Sequence, residues 1–168
     1  MLAGGAAYAL RPAAAGIPHV VTVPGKLGAF AEDAKLAQGM GAASLKASIV
    51  ARSAGEAKNV VDAVYEQTNG PGTANGPQII LFIGGNLSGT TAQLFIASFT
   101  GKLKGAEPTS AGSLGGAAAC VPGTGGRPAE CAWADDDTFG VIASPTLNAA
   151  SLGTELRVMR PLVEHVAR

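Results

Sequence analysis

The stretch Gln78–Gly84 (QIILFIG) constrains this fold more than any other part of the chain. In an extended conformation Ile79, Leu81 and Ile83 point to one side, while Ile80 and Phe82 point to the other. A strand that is apolar on both faces must be covered on both, so it belongs at the centre of a sheet. The chain can supply that cover. Its 168 residues, 47% of them in the apolar classes, make one domain with one ordinary core.

Charge narrows the partners. Twelve Lys+Arg balance twelve Asp+Glu, so no basic footprint marks a nucleic-acid binder. Disorder is excluded as well, because it needs low hydrophobicity with high net charge. With 24 Gly and 10 Pro, loops are numerous.

Around the central strand the apolar period changes. Phe30, Ala34, Ala37 and Met40 recur in steps of three and four, which predicts a helix over Phe30–Ala42 ending near Gly41. Leu45–Arg52 is ambiguous: Leu45, Ala47, Ile49 and Ala51 alternate as in a strand, yet the Ala content also admits a helix. Asn59–Glu66 is β-rich and stops at Asn69-Gly70-Pro71-Gly72. Beyond Gly85–Thr91, the stripe Ala92, Phe95, Ile96, Phe99 and Leu103 predicts a helix that Ser88, Thr90 or Thr91 can cap. Thr138–Ala143 is a further strand. A last helix opens at Pro145 and Asn148, carries Leu152, Leu156 and Met159, and is expected to stop at Pro161. The order α-(β)-β-β-α-β-β-β-α describes an α+β fold, a mainly antiparallel sheet of about five strands with about three helices packed on it.

The two cysteines, Cys120 and Cys131, flank a loop running from Pro122 to Pro128. Two short strands around that loop form a hairpin whose facing cysteines can be bridged. Such a disulfide stabilises by about 2–3 kcal/mol and persists only in an oxidising compartment. The alternative is a pair of buried thiols acting as small hydrophobes. Trp133 follows Cys131 by two residues and is expected to pack over the disulfide.

Few residues invite chemistry. Gly85, Asn86, Ser88 and Thr90 lie where a strand hands over to a helix, so their free N–H groups form a weak candidate loop for an anion or ligand. Gly84 and Gly89 have P-loop spacing, but Thr90-Thr91 stands where Lys-Ser/Thr is needed. Asn86 occupies the first Gly position of a nucleophile elbow around Ser88. Asp135-Asp136-Asp137 offers carboxylates without the other ligands of a calcium loop, and reads as an acidic turn in water. Arg157 and Arg160 lie three apart in the last helix, where they can pair with Glu155 or Glu164, on what reads by default as a solvated face. His19 and His165 sit near opposite ends of the chain, which argues against a zinc site. No catalytic, cofactor-binding or metal-binding residue is assigned.

Met1–Leu10 (MLAGGAAYAL) is apolar but too short for the roughly 20 residues of a membrane span, and no charged region precedes it. It reads as a frayed terminus or as the outer end of a membrane helix begun upstream. Ala13–Lys26, with Gly16, Pro18, Pro24 and Gly25, reads as an extended linker.

FIGGNLSGTTAQLFIASFTGKLKG, SAGSLGGAAAC, CAWADDDTFGVIASPT and LRVMRPLVEH together resemble a family of uncharacterised membrane-anchored proteins common in streptomycetes and related actinobacteria. The resemblance runs from about Val20 to Arg168, and its most specific pieces are L-G-G…C and C-x-W-A-D…T-x-G. It departs at the N-terminus, where the cytoplasmic tail and most of the membrane helix are missing. What it implies is location and topology, with no catalytic residue and no cofactor. Residues 1–26 are then the end of a truncated anchor plus linker, and 27–168 a single extracytoplasmic domain. The expected function is non-catalytic: a domain held at the extracytoplasmic face of the cell membrane that binds an unknown protein or envelope component, or senses the envelope. Two alternatives are a carrier of a small apolar ligand between sheet and helices, and an enzyme using surface loops. Titration of the denatured, unreduced protein is expected to find no free thiol, and a count of two would refute the bridge.

Overall fold

A computed structural model describes residues 18–168 apart from Ala54 and Lys102, with their side chains except that of Arg52. The expected anchor end, Met1–Leu10, lies outside the described residues. The chain enters through His19–Val21 (β1), continues through Lys26–Leu27 (β2), Phe30–Glu32 (β3), Ala34–Gly39 (α1) and Ala42–Arg52 (α2), and reaches the long strand Ala57–Gln67 (β4). Gln78–Leu87 (β5), Ala92–Thr100 (α3), Glu107–Thr109 (β6), Ala117–Val121 (β7), Ala129–Ala134 (β8) and Thr138–Ser144 (β9) follow. The chain ends with Ala149–Val163 (α4) and Glu164–Val166 (β10).

Eight strands form one antiparallel sheet in the order β2-β3-β4-β5-β9-β8-β7-β6. QIILFIG lies in β5, inside the sheet and paired on both sides, as its apolar faces require. Ile80 and Phe82 join Tyr65, Cys131, Trp133 and Ile142 on one face, closed by Leu152, Leu156 and Met159 of α4. On the other face Leu81 packs with Val64, Ala143 and Ala42, beside Leu36 and Met40. Farther along that face, Leu87 and Phe139 meet Ala92 and Ile96 of α3. The sheet therefore carries helices on both sides.

The sheet has eight strands among the described residues, not about five. Its strands missed from sequence, β2, β3 and β6, are only two or three residues long, too short to show a period, as are β1 and β10 of the separate two-stranded pair. Pro108 in β6 sits on the edge strand, where a missing N–H removes no interior ladder bond. Among the described residues the helices number four, not about three. Phe30–Ala42 is not one helix: Phe30 is buried in the sheet, and α1 starts only after Asp33, whose side chain accepts from the Leu36 N–H at 2.8 Å. Gly41, at φ 68°, then turns the chain into α2, which settles Leu45–Arg52 as helix. Pro161 does not end α4. The helix runs on to Val163 because Met159 and Val163 stay buried, and it stops where Glu164 turns extended.

His19–Val21, within the stretch read as linker, pairs with β10. Thr22 N–H donates to Val163 O and Ala167 N–H to Pro18 O, each at 2.8 Å. Tyr65 Oη–H pins the following segment through Pro24 O at 2.8 Å. The cysteine hairpin is present: Cys120 and Cys131 face each other across β7 and β8 and are disulfide-bonded. Trp133 lies in the same cluster as both cysteines, but its ring stacks on Phe82, with centroids 5.9 Å apart. It also fills the space beside Gly140, where a Cβ would lie 2.1 Å from the indole.

Replacing Leu81 or Phe82 by Ala, on opposite faces of β5, is expected to cost about 2–5 kcal/mol in denaturant unfolding. A loss below about 1 kcal/mol at either position would mean that its face is open to water.

Candidate functional site

A cluster of inward-facing polar residues gathers at the end of α4. Arg160 comes four residues after Leu156, so it falls on the helix's buried stripe, and its side chain is 1% exposed. All five of its N–H donors are engaged. Nε donates to Glu164 Oε2 at 2.8 Å. Nη2 donates to Asp135 Oδ2 at 2.7 Å and Glu164 Oε1 at 3.4 Å. Nη1 donates to the carbonyls of Ala111, at 3.0 Å, and Gly115. One guanidinium thus joins α4, the β8–β9 turn and the glycine-rich loop 110–116. Gly116 closes that loop at φ 86°, where a Cβ would lie 2.2 Å from Ala134 O.

Asp135 is equally occupied. Its Oδ1 accepts from Asp137 N–H at 3.1 Å, Thr138 N–H at 2.8 Å and Thr138 Oγ1–H at 2.9 Å. Burial alone would push this carboxyl up. Hydrogen bonds from the Glu164 carboxyl, from the two backbone amides and from the Thr138 hydroxyl outweigh burial and hold it down to about 2. Glu164 shifts the other way: burial raises it, Arg160 opposes, and the Asp135 carboxylate adds to the rise. The two acids share the Arg160 charge and titrate together.

A second layer clasps the N-terminal strand. Asp137 Oδ2 accepts from His19 N–H at 2.6 Å, and its Oδ1 faces His19 Nδ1 at 3.4 Å. Asn86 Nδ2 donates to His19 O at 2.8 Å and to Asp137 O at 3.2 Å, while its Oδ1 accepts from Asn59 Nδ2 at 3.2 Å. Ligand atoms of His19, Asp135 and Asp137 lie within 4.8 Å of one another. Their chemistry is that of a clasp, not of a cation site. The Asp135 oxygens are filled by donors, and the guanidinium beside them repels a cation.

The candidate loop Gly85, Asn86, Ser88 and Thr90 does not converge on one point. Gly85 and Asn86 belong to β5, and a Cβ at Gly85 would meet Lys58 O at 2.7 Å. Ser88 N–H is engaged by Glu56 O at 2.9 Å. Thr91, not Thr90, caps α3 through Leu94 N–H at 3.3 Å. Only Asn86 reaches the polar cluster. The acidic turn is not simply solvated, since Asp135 and Asp137 bind inward and Asp136 alone is exposed. The arginines divide likewise: Arg157 is exposed and donates to Thr154 Oγ1 at 3.1 Å, whereas Arg160 is interior. The pairing of Arg160 with Glu164 is among the sequence expectations; its burial is not, although the spacing Leu152, Leu156, Arg160 carries the signal.

Two troughs open to solvent lie on the surface of the described residues. One, of about 490 Å³, lies beside α4 and is lined by Leu27, Phe30, Gln78, Leu147, Glu155 and Val158 among others. The other, of about 480 Å³, lies between the loop after Val121 and the segment Ser144–Ala149.

Replacing Arg160 by Ala leaves Glu164 buried without its partner and is expected to cost about 3–5 kcal/mol. Asp135 binds its proton more weakly when folded than when unfolded, so its contribution is complete above its unfolded pKa of about 4. That contribution is lost as pH falls toward about 2. Thermal melts from pH 5 to pH 2 are expected to show a smaller loss for Asp135→Asn than for the wild type. An equal loss would place the acid sensitivity elsewhere. No family model, curated protein or solved structure matches the chain, so its function is read from its own geometry.

Proposed function

We propose that this chain is a non-catalytic extracytoplasmic domain, tethered to the outer face of the cytoplasmic membrane through the segment before residue 18, that binds a protein or envelope component. The observation that carries this reading is the Cys120–Cys131 disulfide, set in the core between β7 and β8. A buried bridge of this kind suits an oxidising compartment. The resemblance to the actinobacterial membrane-anchored proteins points to the same compartment.

Two further features support binding over catalysis or transport. The titratable groups that converge, Asp135, Asp137, Glu164 and His19, are engaged with one another, with Arg160 and with backbone. A carrier would hold its ligand in an enclosed apolar cavity, whereas both troughs are open to solvent. Pairing of β1 with β10 also brings Pro18 beside Ala167, so a tether would enter at one defined edge of the domain.

Fractionation of the host's cells, with an antibody to the domain, tests the assignment. The protein is expected in membranes and digested by protease added to intact protoplasts. Soluble protein protected inside protoplasts would overturn it.

A further inference from the structure

The trough beside α4 holds a carboxylate that meets no counter-charge among the described residues. Glu155 lines it and has, among the described residues, no hydrogen-bond or ion-pair partner. Burial alone pushes its carboxyl up. The other two glutamates that burial raises differ in this respect, because Glu130 has Arg127 and Glu164 has Arg160 to oppose the effect. A half-buried carboxylate with no counter-charge is stabilised by any cation brought to it.

Its surroundings select the kind of cation. Leu27, Pro71, Leu147 and Val158 supply apolar wall, with Val158 50% exposed on the turn after Glu155. A bare metal ion gains nothing from such walls. A lysine or arginine does, because its aliphatic stem lies along apolar surface while its head reaches the acid. Gln78 lines the trough and has no side-chain partner among the described residues, so its amide is free for a peptide group; the Gln67 amide, by contrast, is held by Asn69 O at 3.1 Å. β2, whose Leu27 is part of the wall, is the terminal strand of the sheet, the position where extended peptides add by strand pairing.

We propose that this trough receives an extended peptide segment of a partner protein, with a lysine or arginine side chain on Glu155 flanked by aliphatic residues. The inference deepens the binding reading above by naming the chemistry of the partner. It is tested on the purified chain, so its outcome is independent of where the protein resides.

The probe is acetyl-Leu-Lys-Leu-amide, titrated into the ¹⁵N-labelled full chain and followed by amide chemical shifts, with acetyl-Leu-Glu-Leu-amide as comparison. Shifts are expected around Gly28, Gln78, Ser151, Glu155 and Val158, with the acidic peptide at least about tenfold weaker. Glu155→Gln is expected to weaken the lysine peptide by about tenfold, whereas Glu107→Gln, at an exposed site on β6, leaves it unchanged. Binding is also expected to fade as Glu155 is protonated at acid pH. Spectral dispersion reports that each variant is folded. Shifts elsewhere, equal binding of the two peptides, unchanged affinity in Glu155→Gln, or no shift at millimolar peptide would each overturn the proposal.

Discussion

The guanidinium of Arg160 is the interaction on which the arrangement of the loops depends. Its five donors meet two side chains and two carbonyls from three segments of the chain: the loop between β6 and β7, the turn after β8 and the end of α4. A buried cation is costly unless it is paired and hydrogen-bonded, so the acceptors must be held in place together. Asp135 is held by the turn it caps, Glu164 by the helix end, and Ala111 and Gly115 by the glycine-rich loop. Placing those groups also orders the turn that presents Asp137 to β1. The N-terminal strand is thus clasped at second hand by a residue near the other end of the sequence.

This network and the apolar core do different work. The core specifies layers: the two-faced strand β5 draws α4 to one side and α1, α2 and α3 to the other. Apolar burial is non-directional and leaves the loop paths open. Hydrogen bonds to a planar fork are directional, so they set which loop lies where. The disulfide adds a constraint on a hairpin rich in alanine, where side chains alone supply little contact area. A fold with such small residues in β7 and β8 depends on Trp133 to fill its centre, and Gly140 makes room for it.

Legibility followed the strength of the local signal. β5 could be read because it carries apolar residues on both faces, and the cysteine hairpin because its strands flank a Gly/Pro loop. The Asn148 cap and the buried stripe of α4 were also plain, with Asn148 Oδ1 accepting from Ser151 N–H at 2.9 Å. Phe30 was misread because a residue at helical spacing from Ala34 can equally be the buried end of a strand. Arg160 was assigned to solvent because arginine is seldom interior, and burial depends on partners that periodicity does not name.

His19 and His165 illustrate the limit most directly. Read along the chain they are separate. In the structure β1 and β10 are paired, with Val20 opposite His165 and His19 opposite Val166. The sequence by itself determined the class of fold, the central strand and the cysteine pair, because each follows from local pattern and from the need to cover apolar surface. Tertiary structure decided the eight-strand order, the clasp around Arg160 and the place of Glu155 in its trough. Those depend on which distant segments meet, and contact between distant segments is fixed by the whole packing free energy and not by any local run of residues.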